Sequence, residues 1–471
     1  MNITNLIINS AVTLKNQFND LNQVVDWVQL QNNKVKVDVE RIPFSEMRNW
    51  NFENNSFRIS HNSGKFFSID GIRVNTNWGE INNWDQPIIN QPEIGYLGII
   101  TKEFNGVLYF LLQAKIEPGN INFVQLSPTL QATKSNYTQV HNGKAPTYLN
   151  YFQTAKPKNI LVDQLQSEQG SRFLKKRNRN IVIKLEEEIE IYDNFIWVTL
   201  AQIKKLMCID NLVNMDTRTV ISCIPLSNFS LGDDPDFLNF NENGINLNTK
   251  FINSFLLKNN AKFTFEELIK YITERKCEYI LEVNKSPLSS LNNWIISSDE
   301  IRHEENKYFK VIAARVSIDN REVVSWDQPM IMPAQEGICA FICKEINGIL
   351  HFIVQTKLEA GNFDILELAP TVQCLTGNYN NTRSIVSIPF LSYVLNASSD
   401  SIIFDTLQSE EGGRFFKEQN RNILVIADAS FDEQLPTNYV WMTLYQLQIF
   451  AQFNNYLNIQ ARSLIASIPF V

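Results

Sequence analysis

A chain of 471 residues exceeds what one hydrophobic core sustains, so more than one domain is expected. Forty-two Lys and Arg against 50 Asp and Glu give a net charge of −8, and without an overall basic field nucleic acid is excluded as a main partner. No run nears the ~18 apolar residues of a membrane span, the N-terminus has neither a basic start nor a small-residue cleavage site, and the six cysteines form no C-x-x-C pair; a cytoplasmic protein with reduced thiols and no membrane partner is expected.

An amphipathic helix opens each half. Leu21, Val24, Val25 and Val28 recur at helical spacing in the first, and Phe265, Leu268, Ile269 and Ile272 in the second, where Thr264 and Glu267 predict a capping box. Short strands follow at 66–74, 95–104, 107–113 and 122–126, with a WDQP turn at 84–87. Asn105-Gly106 and Asn347-Gly348 fall between alternating apolar runs and predict tight hairpins. Next come a helical stretch near 148–153, a strand at 159–164, a turn at 167–172 and a strand at 180–185. A final helix begins at Thr199, or at Thr443 in the second copy, where the hydroxyl can cap it. Strands with few helices between them place the chain in the α+β class, with mixed sheets flanked by helices.

The halves are copies of one another. His61 to Asn180 lies on His303 to Asn422 without a gap at a shift of 242, and the flanks match at 244, where Pro43 meets Pro287 and Arg218 meets Arg462. Between Gln113 and Tyr137, 11 of 25 positions agree, and Asp163 to Asn180 agrees with Asp405 to Asn422 at 12 of 18, a density that makes the repeat a whole domain. The domains read as 1–229 and 249–471, joined by an Asn-, Asp-, Ser- and Gly-rich linker at 230–248.

The polar residues gather at strand ends and turns. Gln113, Lys115 and Glu117 share one face of a strand, either as an ion pair of the frame or as chemistry at a pocket mouth; Lys357 and Glu359 repeat the choice. Gln125, Ser127 and Thr129, followed by Gln131, form a row that can wall a pocket, and the second copy has Glu367, Ala369 and Thr371. Lys134, Ser135, Asn136 and Tyr137 follow, with Tyr379 the second copy's tyrosine; a phenol there can serve an oxyanion or simply cover the core. Glu168, Arg172, Lys175, Lys176, Arg177 and Arg179 are either a solvated basic turn or a pyrophosphate cradle. Arg172 and Arg179 recur as Arg414 and Arg421 and so belong to the domain plan. Trp84 with Gln86, and Trp326 with Gln328, can stack on a base or plug the core. No nucleophile elbow, P-loop, dinucleotide glycine triplet or H-E-x-x-H motif occurs, and four scattered histidines argue against a zinc site.

The runs WDQPIINQPEIGYLG, QAKIEPGNINFVQLSPTLQATKSNYT and LQSEQGSRFLKKRNRN resemble those of the NDP-hexose 2,3-dehydratases, and the resemblance extends from about Trp27 to Pro469. It implies two Nudix-like domains per subunit, a homodimer, and a lyase acting on dTDP-4-keto-6-deoxyglucose without metal or redox cofactor, whose product passes to a separate ketoreductase. The metal-binding box of Nudix hydrolases is missing from both halves. The resemblance also implies two nucleotide-sugar pockets, one of them catalytic. Glu117 or Glu168 is then the expected base, with Glu367 its rival in the second copy, and Tyr137 or Lys115 the expected donor to the C4 oxyanion or acid. Trp84, Gln86, Arg172 and Arg179 are expected to hold the nucleotide. The first half keeps Ser127, Lys134 and Ser135 where the second has Ala369, Thr376 and Gly377, which favours the first pocket. A non-catalytic nucleotide-sugar binder, a Nudix-type hydrolase, and a dehydratase of another nucleotide sugar are the alternatives.

Overall fold

The computed structural model describes residues 3–52, 58–137, 145–224, 248–319, 324–375 and 388–471. The expected linker lies outside them as far as residue 247, and so does Tyr379.

Local signals fold as their chemistry dictates. Thr264 accepts from the Glu267 N–H while Glu267 reaches back to the Thr264 N–H, the predicted box, and the same box forms at Thr199 with Gln202 and at Thr443 with Gln446. Asn105-Gly106 and Asn347-Gly348 both take positive φ and close the hairpins between Gly95–Phe104 and Val107–Ile116 and between Gly337–Ile346 and Ile349–Lys357. Helix Ile3–Val12, which the sequence reading omitted, packs on Val107–Ile116; its Ser10 hydroxyl accepts from the Leu200 N–H at 2.8 Å.

Each half contains a seven-stranded mixed sheet. In the first the order is Ile160–Ser167, Arg177–Leu185, Gly95–Phe104, Val107–Ile116, Phe195–Thr199, with Val124–Ser127 and Leu130–Ala132 paired to the two central strands. Arg177–Leu185 runs parallel to Gly95–Phe104 and its neighbours pair antiparallel, the mixed sheet expected of the class. Leu97, Ile99, Leu108, Phe110 and Leu112 point from this sheet into a core that also takes in Phe341, Phe352, Leu447 and Phe450 of the second half, so the main core spans both copies.

The smaller sheets explain this union, because each is completed by the other half. Val37–Ile42 pairs antiparallel with Phe309–Ile318, from Val37 opposite Ile318 to Ile42 opposite Ala313. Reciprocally, Leu281–Ser286 pairs with Ser68–Thr76. The chain leaving each exchanged segment is clamped by the aspartate of WDQP. Arg48 donates its backbone N–H to Asp327 at 2.8 Å and its guanidinium to both Asp327 oxygens, while Trp50 Nε1 donates to the Asp327 carbonyl. The mirror contacts run from Asn292 N and Trp294 Nε1 to Asp85. Burial favours protonation of Asp327, but hydrogen bonds from Arg48 and Arg315 outweigh it and hold the carboxyl at about 2.

WDQP is therefore not the expected turn. It lies in strands Asn83–Asn90 and Ser325–Pro333, each paired on one side only within its sheet. An edge position tolerates the proline, whose missing N–H has no ladder partner to serve.

Two further helices, Met215–Ser222 and Ile459–Ala466, are buried all round and pack against each other between the halves. Arg218 and Arg462, both 0% exposed, lie on them. Arg218 donates to Gln408 and to the Ser409 carbonyl, and Arg462 to the Ser167 carbonyl and to Thr219. Each arginine thus grips the start of a turn belonging to the opposite half.

Candidate active site

Those two turns, 168–176 and 410–418, are the second exchange between the halves. Gly119 N donates to the Gly412 carbonyl at 2.8 Å, and Lys417 N returns the bond to Gly119 O at 2.7 Å. Gly361 does the same with Gly170 and Lys175. A β-carbon on Gly119 would fall 1.6 Å from the Phe415 carbonyl oxygen, and one on Gly361 1.7 Å from that of Phe173, so both positions require glycine. Phe173 and Phe415 meet edge to face at 5.8 Å between the turns.

In the first pocket the strand end carries Lys115 and Glu117, which form the ion pair weighed from their spacing, at 3.3 Å. Glu117 Oε1 also accepts from Gln131 Nε2 at 2.6 Å, and Oε2 accepts from the Gly412 N–H at 3.1 Å. Asn214, the N-cap of the buried helix, donates to Ser127 at 2.9 Å and to Gln131 at 3.3 Å. Glu168 accepts from Asn178 at 2.7 Å. Burial pushes its carboxyl up, against the opposing charges of Lys176 and Arg462.

Three charged groups complete this pocket: Asp216 and Glu411, to which the sequence assigned no role, and Lys176, read from the sequence as part of a basic turn or pyrophosphate cradle. Asp216 is 3% exposed with Oδ1 unpartnered among the described residues; burial and the charges of Glu411, Glu168 and Glu117 push it well above the usual carboxylate range. Glu411 arrives on the second half's turn, half-buried, and is pushed up to about 7 by burial, with Glu168 and Glu117 adding to it and Arg414 opposing. Lys176, whose ammonium donates to the Glu93 carbonyl, is lowered by burial and raised by Glu168 and Glu411. Arg414 donates to Gln91 at 3.1 Å and stands 4.1 Å over the Phe67 ring. Among the described residues no three His, Cys, Asp or Glu are arranged to hold a metal ion.

The second pocket repeats the frame. Gln373 Nε2 donates to Glu359 Oε1 at 2.9 Å, and Lys357 donates to the Gln373 carbonyl at 3.3 Å while standing 5.7 Å over the Trp78 ring of the first half. Burial raises Glu359 and Glu418, and pushes Glu410 up to about 7. Arg172 lies here, 4.2 Å over Phe309, beside Glu359, Glu410 and Glu418. The exchange therefore brings Arg172 to the second pocket and Arg414 to the first.

The other predicted residues divide between pocket, frame and surface. Gln113 is half-buried on the same strand as Lys115. Thr129 is pinned between the Leu111 carbonyl and the Ile100 N–H, and Thr371 between the Ile353 carbonyl and the Ile342 N–H. Trp84 donates to Gln86, which donates to the Ser171 carbonyl; Trp326 and Gln328 hold the Gly413 carbonyl in the same way. Arg179 forks onto Asp163 and also reaches the Tyr96 hydroxyl, and Arg421 forks onto Asp405. Beyond strand Leu130–Ala132, Lys134 and Asn136 are exposed and Tyr137 is half-buried. There Ser135 N donates to Glu93 at 3.3 Å, and Tyr137, raised by burial and by Tyr96 and Glu93, donates to the Ile94 carbonyl. Glu367 accepts from Ser167 at 2.8 Å, and burial pushes it up to about 7.

A family model described as NDP-hexose 2,3-dehydratase matches residues 21–224 and again 265–468. A dTDP-4-dehydro-6-deoxy-α-D-glucopyranose 2,3-dehydratase of Saccharopolyspora spinosa is 42% identical over 467 residues, covering 99% of this chain and 95% of the relative. Enzymes of the same description from Amycolatopsis orientalis and Streptomyces violaceoruber are 38% and 40% identical, covering 94% and 91% of this chain and 88% and 93% of theirs. No helix among the described residues is long and apolar enough to cross a membrane.

Proposed function

Because the chain belongs to the NDP-hexose 2,3-dehydratase family, we propose that it removes water from dTDP-4-keto-6-deoxyglucose in the first pocket, giving a 3,4-diketo-2,6-dideoxy sugar nucleotide. One observation carries the choice of pocket. Glu117, Glu168, Asp216 and Glu411 converge there on Lys115 and Lys176, where the second pocket has amides in place of Asp216 and Glu411.

The C4 ketone acidifies the C3 proton. A carboxylate removes it, and charge develops on the C4 oxygen. Lys115 is the donor to that oxygen, held in place through Glu117, which the Gly412 N–H fixes in turn. The C2 hydroxide then leaves, taking a proton from Tyr137, whose raised phenol stays protonated at neutral pH. The C2=C3 enol relaxes to the diketone. Buried carboxyls of raised pKa beside paired ones are the arrangement that supplies base and acid in one site. Arg414, Gln131 and the Lys134–Asn136 segment serve the nucleotide and sugar, and the second pocket binds a nucleotide sugar without turning it over. The active form is a cytoplasmic homodimer whose product goes to a separate ketoreductase.

Turnover of dTDP-4-keto-6-deoxyglucose, followed as appearance of the 3,4-diketo product, tests the reading. Binding of the sugar without loss of water would leave a binding protein in its place, and faster turnover of a UDP, GDP or CDP analogue would move the nucleotide assignment.

A further inference from the structure

The family reaction needs a base, and besides Glu93, whose two oxygens accept from Gln91 and from the Ser135 N–H, the first pocket offers four carboxyls. Three of them are occupied or shut in. Glu117 accepts from Lys115, Gln131 and the Gly412 N–H, so both its oxygens are engaged. Glu168 is 6% exposed and tied to Asn178. Asp216 is 3% exposed, its Oδ1 pointing among the other carboxyls without a partner. Glu411 differs from all three. It is half-buried, its carboxylate accepts no hydrogen bond from a described residue, and it lies beside Gly413 with its Oε1 3.2 Å from where a β-carbon would sit and Glu117 Oε1 3.7 Å from the same point. Burial, Glu168 and Glu117 disfavour its charge, while Arg414 and Lys176 favour it.

We propose that Glu411, delivered to the first pocket by the turn of the second half, is the base that takes the C3 proton, so that the catalytic centre exists only because the halves exchange these turns. This rests on the substrate and pocket assigned above. The duplicate position is Gln169, and an amide cannot take the proton, which gives a chemical reason for one pocket to react and the other only to bind. Asp216, whose carboxyl burial and the neighbouring Glu411, Glu168 and Glu117 push upward, lies behind Glu411 with Oδ1 unpartnered among the described residues. In the step, the C3–H pair moves into C3=C4 as the proton passes to a Glu411 oxygen and the C4 oxygen gains charge. That pair then forms C2=C3 as the C2–O bond breaks and the departing hydroxide takes the Tyr137 proton. Glu411 returns its proton through solvent to the Tyr137 phenolate, and one water is released per turnover.

The test is steady-state kinetics of the full chain and its E411Q and E411D variants, with unlabelled and 3-deuterated dTDP-4-keto-6-deoxyglucose. E411Q is expected to lower kcat by about 10²–10⁴ with KM within about threefold, to raise the primary isotope effect, and to abolish the acid limb of the kcat profile. E411D, still a carboxylate, is expected to recover at least about tenfold over E411Q. If the wild type turns the substrate over and E411Q stays within about threefold of it, Glu411 is not the base. Equal losses in E411Q and E411D with an unchanged isotope effect and pH profile would make Glu411 a strut and overturn the proposal. Loss of turnover in E367Q with E411Q intact would move the chemistry to the second pocket. A wild type inert to this sugar would sink the substrate reading, and the base assignment with it.

Discussion

In the first pocket Glu411 and Asp216 stand where the second has Gln169 and Gln460, and Lys176 stands where the second has Glu418. The glycine contacts, the Gln131 and Gln373 bonds and the buried Arg218 and Arg462 are common to both. Duplication preserved the frame, which is backbone and buried hydrogen bonds, and altered the groups that can exchange protons. Lys176 with Glu418 and Gln125 with Glu367 reverse the trend, and the second of these is the one the sequence reading singled out. There the second copy gains a carboxyl, but it is 2% exposed and bound to Ser167, where it shapes stability more readily than it reaches a ligand.

The comparison can be broken where the halves are predicted to be equal and sharpened where they are not. R218M and R462M should each cost about 3–5 kcal/mol in denaturant unfolding, since either leaves buried carbonyls of an exchanged turn unpaired; a large inequality would mean that one turn is held by other means. K115M should lower kcat by about 10²–10³-fold through loss of the oxyanion donor, and exceed the loss in K357M by at least tenfold. Similar losses in the two would place chemistry in both pockets. G119A pushes the 410–418 turn away from Glu117 and should cost about 10²-fold in kcat, since displacements near 1 Å have that effect; G361A, its mirror, should disturb binding in the second pocket more than turnover.

A smaller effect concerns pH. Glu367 is pushed from 4.5 up to about 7, so the folded chain holds a proton that the unfolded chain has released, and stability falls as pH rises across that window. E367Q should flatten the slope of unfolding free energy between those limits by at most about 1.4 kcal/mol per pH unit; an unchanged slope would show the carboxyl already ionised. The smallest effect is expected at R179A and R421A, within about 1 kcal/mol of wild type and of each other, because the Asp163 and Asp405 forks are partly exposed.

Local chemistry was legible from the residues themselves. The capping boxes, Asn-Gly hairpins and alternating strands need only neighbours within a few positions. The pairing of Lys115 with Glu117 also follows from their alternation on one strand. WDQP misled because a proline among polar residues reads as a turn, and only the edge position in a sheet makes it strand. Glu411 was visible as a difference from Gln169 at a shift of 242, but nothing local said that it faces Glu117, nearly 300 residues away in sequence.

The sequence by itself determined the duplication, the α+β class, the capped helices and the inventory of groups that could do chemistry, because repeats, periodicity and caps are written in short stretches of chain. The tertiary structure alone decided which groups meet. Strands Val37–Ile42 and Leu281–Ser286 change places, the turns at 168–176 and 410–418 cross over, and each pocket takes its last residues from the opposite copy. Two halves alike enough to accept each other's strands give no local sign of whether a strand pairs within its own copy or across to the other, since the same backbone hydrogen bonds and the same apolar face are satisfied either way.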